Sequence, residues 1–240
     1  KGENAFGVAF ASNRISFEIF LEFTDGSIQR VLSGPGCRLL KNGGPLSRLW
    51  RPETYEFGGK GEVYDARAEL CGWDSPGFQA ENWGEIQYNG YAPEKLSAQM
   101  QSVKVFEGLS PVGFRRTADG MAVADFGRNM NGHERIRFRG GSRGNAVRIR
   151  FAERLLPDGT PDFSTTLSAQ GMLSVHEDLY IKRGNGDEWY EPEFASHGFR
   201  YMEIANAPEP FSADDVTARA VCSEVGKTLD FKTSDPLLMN

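Results

Sequence analysis

Arg135-Ile136-Arg137-Phe138-Arg139 alternates charged and apolar residues without exception, and so does Val147-Arg148-Ile149-Arg150-Phe151. Successive side chains of a strand point to opposite faces, so this period-two pattern predicts two half-buried β-strands. Gly140-Gly141-Ser142-Arg143-Gly144-Asn145 lies between them and reads as a glycine-rich turn. Together the three pieces predict a hairpin with one arginine-covered face. That face has two readings. It is a surface for an anionic ligand, or a solvated sheet face balanced by nearby acids.

The same period recurs on both sides. In Ile15-Ser16-Phe17-Glu18-Ile19-Phe20-Leu21-Glu22-Phe23 every odd position is apolar and three of the four even positions are polar. Thr24-Asp25-Gly26-Ser27 then reads as a turn, and Ser27 to Leu32 as the return strand. A third pair brackets Gly184-Asn185-Gly186-Asp187, with Leu179-Tyr180-Ile181 before it and Trp189-Tyr190 after it. Arg200-Tyr201-Met202-Glu203-Ile204 reads as another strand, and residues 161–178 as a long loop. No long stretch carries a 3.6-residue period. Short strands spaced by turns predict an all-β fold of two consecutive antiparallel β-sandwich (jelly-roll-like) domains. A boundary at Glu107-Gly108-Leu109-Ser110-Pro111 divides the chain into domains 1–107 and 108–226. Each is close to the ~100 residues that a sandwich needs.

Of the 240 residues, 39% are hydrophobic and 25% charged, and the 17 Phe, 7 Tyr and 4 Trp supply a core. The net charge of −6 argues against a general nucleic-acid binder, which needs a dominant basic face. No apolar run approaches the ~20 residues of a membrane span. Cys37, Cys71 and Cys222 are odd in number and far apart, so at most one bridge is possible and buried free thiols are expected. The chain starts at Lys1, so it is expected to begin inside a longer polypeptide, and no compartment is indicated.

Four motifs invite chemistry. Gly61-Glu62-Val63-Tyr64-Asp65-Ala66-Arg67 is followed by Gly72-Trp73 and Trp83. Carboxylates accept hydrogen bonds from sugar hydroxyls and indoles cover the apolar face of a pyranose, so Glu62, Asp65, Arg67, Trp73 and Trp83 suit carbohydrate binding. The same residues suit a structural role, with Arg67 pairing internally to Glu62 or Asp65 and the tryptophans in the core. Asp125-Phe126-Gly127-Arg128-Asn129-Met130-Asn131-Gly132 reads as a strand end bending into a tight turn. Glu153, in Ala152-Glu153-Arg154-Leu155, is a candidate buried acid. His197, in His197-Gly198-Phe199-Arg200-Tyr201, has no nucleophile in a recognisable context and reads as a hydrogen-bonded structural residue. His133 and His176 show no metal-ligand spacing. Glycoside hydrolysis needs two carboxylates across a sugar bond, and 33 acids single out no pair.

Taken in order, these motifs resemble the bacterial α-L-rhamnosidases, glycoside hydrolases of the family 78 type. Lys1-Gly2-Glu3-Asn4 is similar to a strand entry in the family's N-terminal β-domain, and Gly61–Arg67 to its G-E-x-Y-D-A-R signature. Asp125–Gly132 resembles the D-F-G-Q-N-x-x-G motif of the following concanavalin-like β-sandwich. Ala152–Leu155 with Asp158-Gly159 resembles A-E-x-L…D-G. Glu191-Pro192-Glu193-Phe194 and His197–Tyr201 resemble P-x-F-x-x-H-G-F-R-Y, and 227–240, ending Ser234-Asp235-Pro236-Leu237-Leu238-Met239-Asn240, is similar to the lead-in to a catalytic barrel.

The resemblance implies hydrolysis of terminal α-L-rhamnose with inversion, by an acid and a base in an (α/α)6 barrel that would follow Asn240. No residue of this chain is then catalytic, and the chain alone is expected to be inactive. The partners implied are a rhamnose-containing glycan or glycoside and the catalytic barrel of the same polypeptide, without nucleic acid or a membrane span. A bacterial setting is implied, in the periplasm, outside the cell or in the cytoplasm. No cofactor is required, though some relatives bind rhamnose with calcium near the position matching Asp65. Two departures stand out. Ala66 offers no side-chain hydrogen bond, and Ala11-Ser12-Asn13-Arg14 replaces the usual G-N-G-W-Y stretch. The first sandwich is also expected to lack its opening strands. Besides the accessory reading, a carbohydrate-binding module for L-rhamnose and a purely structural spacer stay open.

Overall fold

The structure, a computed structural model, describes residues 15–40, 44–48, 61–87, 101–166, 176–184, 186–225 and 231–235. Lys1–Asn4, Ala11–Arg14 and most of the expected lead-in at 227–240 lie outside these residues. The described residues form strands and short 3-10 turns, with no α-helix. In chain order the strands are β1 (Glu18–Glu22), β2 (Ile28–Leu32), β3 (Arg38–Leu39), β4 (Leu46–Arg48), β5 (Glu62–Asp65), β6 (Gly84–Glu85), β7 (Val103–Leu109), β8 (Gly113–Arg116), β9 (Ala122–Arg139), β10 (Ala146–Ala152), β11 (Glu177–Ile181), β12 (Asp187–Tyr190), β13 (His197–Ala205) and β14 (Val216–Ser223). Every pairing with a described register is antiparallel.

These strands fall into two compact units. The chain passes from the first to the second after residue 46, returns after 64, and re-enters the second after 97. The expected boundary between the domains begins at residue 107. That position lies within β7, which pairs continuously with β14 apart from one bulge.

The first unit contains the β1–β2 hairpin and the short β3–β6 pair. The hairpin forms as its alternation predicts, with Phe20 opposite Arg30. Its turn is held by Asp25, whose Oδ1 accepts the Ser27 N–H at 2.9 Å and the Ser27 hydroxyl at 2.6 Å. Gly26 occupies a left-handed conformation, φ 80°, which favours glycine. Phe17, Ile19 and Leu21 are half-buried on one face, while Phe20, Ile28 and Leu32 are exposed on the other.

The second unit is one curled ten-stranded sheet in the order β4-β5-β11-β10-β13-β9-β14-β7, with β8 and β12 also paired to β9. The curl runs through β9, which is 18 residues long and changes neighbours along its length. Residues 122–132 pair with β13, and 122–125 also with β8. Residues 132–136 pair with β14, and 136–139 with β12. Gly132 marks the change, opposite both His197 of β13 and Ala220 of β14. A Cβ there would lie 2.4 Å from the Arg219 carbonyl oxygen, so only glycine lets the strands approach this closely. The inward residues Ile136, Phe138, Val147, Ile149, Phe151, Tyr180, Phe199 and Ile204 are fully buried. Their rings interlock, with Phe138 stacked on Tyr180 at 5.3 Å and Tyr180 on Tyr190 at 4.9 Å.

Several local expectations change. The segments 135–139 and 147–151 are strands, but not partners. β10 pairs with β11 and β13, whereas β9 pairs with β8, β12, β13 and β14. Gly141, between them, has φ 78°, and a Cβ there would meet Pro208 at 2.8 Å. Likewise β11 and β12 join different neighbours instead of pairing with each other. The Glu188 carboxylate replaces that ladder, accepting from Tyr180 Oη at 2.7 Å and from the N–H groups of Arg183 and Gly184 at 2.9 Å each. The motif at 125–132 is not a strand end. It is a bulge inside β9, where a step from 199 to 201 on β13 spans 130 to 125 on β9. Glu153 is exposed, not buried. The cysteines are free as expected, but Cys71 and Cys222 are exposed and Cys37 is half-buried.

Gly132→Ala is expected to lower stability by about 1–3 kcal/mol, because the added methyl meets backbone that cannot rotate away. Chemical denaturation followed by tryptophan fluorescence measures it, and an unchanged midpoint would show that the strands separate freely at this crossing.

Candidate functional site

Asp65 ends β5, and its amide donates to the Pro45 carbonyl at 2.8 Å. The carboxylate caps the 3-10 turn Ala66–Ala68 by accepting the Arg67 N–H at 3.1 Å. It also receives the Arg67 guanidinium on both oxygens, from Nε at 2.8 Å and Nη2 at 2.7 Å. This planar two-point contact raises the Arg67 pKa. Ala66 is buried beneath the turn. Trp73, in the following turn, is 38% exposed. Trp83 is half-buried, edge-on to Phe78 at 6.0 Å, and its carbonyl accepts from Arg38 at 3.4 Å.

A calcium ion takes six to eight oxygens and avoids a neighbouring cation. Asp65 already has Arg67 on both oxygens, and among the described residues no group of three or more His, Cys, Asp or Glu is placed to hold a metal. The described surroundings of Asp65 therefore do not fit calcium.

Glu62, three residues before Asp65, belongs to a different setting. It is 5% exposed, inside the second unit. Its Oε2 accepts the N–H groups of Glu193 at 3.1 Å and Phe194 at 3.0 Å, and its Oε1 accepts Tyr190 Oη at 3.3 Å. The Glu62 amide donates to Asp178 Oδ1 at 2.6 Å. Asp178 Oδ2 lies 2.8 Å from His197 Nε2, and the imidazole stacks on Phe151 at 4.1 Å. Arg67 thus pairs with Asp65, while Glu62 turns to backbone and Tyr190.

Glu134 completes this cluster from β9. It is wholly buried, and neither carboxylate oxygen has a hydrogen-bond donor. Burial pushes its pKa well up, and the charges of Asp178 and Glu62 push the same way. Protonated, Glu134 can donate to Asp178; ionised, it would repel it. Burial, followed by the Asp178 charge, also raises the Glu62 pKa against the opposing N–H bonds. Tyr190 is raised too, first by burial and then by these acids. Glu62, Glu134 and Asp178 converge, but they lie under the sheet at 5%, 0% and 0% exposure. They cannot flank a glycosidic bond. What they can do is bind β5, β9, β11, β12 and β13 into one polar knot.

Asp125 is tied down differently. Arg200 donates to both its oxygens, at 2.8 and 3.0 Å, and Gly127 N–H donates at 2.7 Å, across the β9 bulge. The Arg200 bonds lower its pKa. Glu134, Asp178 and Glu188 were not singled out by motif reading. Their signal is parity: Glu134 shares the register of Ile136 and Phe138, Asp178 that of Tyr180, and Glu188 that of Tyr190.

Comparison with known proteins gives this fold its class. Residues 3–107 match the family model described as the alpha-L-rhamnosidase N-terminal domain. Residues 115–222 match the bacterial alpha-L-rhamnosidase concanavalin-like domain. These are β-domains of glycoside hydrolases. The chain belongs to the bacterial α-L-rhamnosidase family, of which it carries these two domains. It is 35% identical over 223 residues to an alpha-L-rhamnosidase of Streptomyces avermitilis, covering 92% of this chain and 20% of that one. The crystal structure of the Streptomyces avermitilis alpha-L-rhamnosidase complexed with L-rhamnose superposes with a TM-score of 0.76. The alpha-L-rhamnosidase structure from Dictyoglumus thermophilum does so with a TM-score of 0.76 at 30% identity, over 93% of this chain and 24% of that one. An alpha-L-rhamnosidase of Formosa agariphila is 28% identical over 98% of this chain and 26% of its own length. The chain thus spans about a fifth to a quarter of these relatives. Among its described residues no helix is long and apolar enough to cross a membrane.

The Glu134 carboxyl has a definite pH signature. Its folded pKa lies above the ordinary 4.5, so its stabilising effect is complete below that value and is lost as pH rises through the folded pKa. Stability is expected to fall with rising pH above ~4.5, by up to ~1.4 kcal/mol per pH unit for one proton. Glu134→Gln should flatten this fall. Urea denaturation at pH 5 to 9 tests it, and parallel profiles for both proteins would remove the protonated Glu134.

Proposed function

We propose that this chain is the accessory β-region of an α-L-rhamnosidase, which removes terminal α-L-rhamnose from glycans or glycosides with inversion. The reaction belongs to a catalytic barrel of the same polypeptide. The observation that carries the reading is the ordered match of both β-domain models, 3–107 and 115–222. The burial of the converging acids agrees with it, since inversion requires an open acid and an open base with a water between base and sugar. The residues of this chain contribute a stiff scaffold. No catalytic role falls to Glu62, Glu134, Asp178 or His197.

A second reading is a binding module for L-rhamnose. The half-open indole of Trp73, eight residues after Asp65, favours it, as does the L-rhamnose complex of the Streptomyces avermitilis relative. In that reading Asp65, Arg67, Trp73 and Trp83 contact the sugar, and calcium would engage Asp65 only by displacing Arg67. A purely structural spacer is what remains if no sugar binds.

The 240-residue chain is expected to release no p-nitrophenol from p-nitrophenyl α-L-rhamnoside, whereas a longer polypeptide carrying a barrel does. Activity in the chain alone would overturn the accessory reading. Calorimetry with L-rhamnose, with and without calcium, separates the other two. Heat that disappears in Asp65→Ala supports the binding module, and no heat at millimolar sugar leaves the spacer.

A further inference from the structure

The outer face of β9 between residues 135 and 139 carries an aromatic platform outside the motifs discussed above. β12 alternates strictly, with Glu188 and Tyr190 buried and Asp187 and Trp189 exposed. Trp189 stands opposite Arg137 in the ladder. Its indole is 52% exposed, although Ile136, Phe138 and Tyr190 on the same two strands are buried. The ring is nevertheless held. The Arg135 guanidinium carbon lies 4.7 Å from the ring centre and that of Arg137 5.9 Å. A guanidinium against an indole fixes the plane of the ring and lowers the entropy that a ligand must remove.

The charges around the ring are already matched. Arg137 pairs with Asp187. Glu191 lies 3.6 Å from Arg135 Nε, 3.3 Å from Arg219 Nε and 3.0 Å from His133 Nε2. An anionic ligand would have to compete with these carboxylates for every guanidinium beside the ring. A neutral ligand with an apolar face and a rim of hydroxyls meets no such competition. It gains stacking on the indole, and its hydroxyls find both donors and acceptors at the edge.

We propose that Trp189 is a sugar-stacking platform on the concanavalin-like domain, taking one neutral pyranose ring. Arg137, Asp187 and Glu191 supply the hydrogen bonds to its hydroxyls. The choice of a rhamnose-bearing glycan as the source of that ring rests on the function proposed above; the platform itself rests on the indole and its charged rim.

The test follows the indole N–H signals of the chain, which has four tryptophans. Trp189→Phe identifies the Trp189 signal and keeps a ring in place, whereas Trp189→Ala removes the ring. Methyl α-L-rhamnoside is expected to move the Trp189 signal saturably, with a Kd on the order of millimolar. Trp189→Ala should weaken binding, read from the neighbouring backbone signals, by about tenfold. Trp189→Phe should retain most of it. A methyl D-glucoside that moves the signal equally would support the platform and count against rhamnose as its particular ligand. A stationary Trp189 signal at about 50 mM of either sugar, far above a millimolar Kd, would overturn the proposal. So would a stronger response to D-galacturonate than to the neutral sugars. Neither result depends on whether a longer polypeptide hydrolyses rhamnosides.

Discussion

Asp178 accepts a backbone N–H from Glu62, 116 residues upstream, and pairs with the imidazole of His197, 19 residues downstream. One buried carboxylate thereby joins β5, β11 and β13. A buried acid costs several kcal/mol unless its lone pairs are filled, and removing one partner from such a pair is among the most destabilising changes a core can suffer. The rest of the second unit is arranged to keep Asp178 satisfied. Phe151 stacks on the histidine, Tyr190 and two N–H groups hold Glu62, and burial pushes the pKa of Glu134 up beside them.

The same constraint places charges differently inside and outside the sheet. Its converging acids are inside, where water and sugar do not reach, and they act on strands. On the outside, charges meet partners across short distances: Asp65 with Arg67, Asp125 with Arg200, Arg137 with Asp187. Of the two readings the sequence offered for the arginine face, an anion site or a solvated face balanced by acids, the pairs of Arg135, Arg137 and Arg139 with Glu191, Asp187 and Asp215 match the balanced one. Beside this balance lies an uncovered indole, Trp189, on the outer side of the strand whose inner side carries Tyr190.

Much of the fold was legible. Alternation marked β1, β2, β9, β10 and β13 as strands, because the period of a strand is a property of the backbone alone. Motif order marked the family, because Gly61–Arg67, Asp125–Gly132 and His197–Tyr201 each sit where the backbone must turn, bulge or bury a polar group. The candidate site was only half legible. The Asp65–Arg67 pair is local, and either Glu62 or Asp65 was a possible partner for Arg67. That Glu62 instead caps the backbone at 193 and 194 depends on a strand pairing no local pattern encodes.

The sequence by itself determined that this is an all-β protein, which segments alternate as strands, and to which family it belongs. Only the tertiary structure decided which strands are neighbours. The 135–139 and 147–151 segments look like two arms of one hairpin, yet β9 carries on past its bulge to pair with β12 and β14 while β10 joins β11 and β13. The physical reason is that a strand's own residues specify its two faces but not its two edges. Every edge offers the same N–H and C=O groups, so partners are chosen by which inward faces close a common core and by which buried acids, such as Asp178, find an N–H within it.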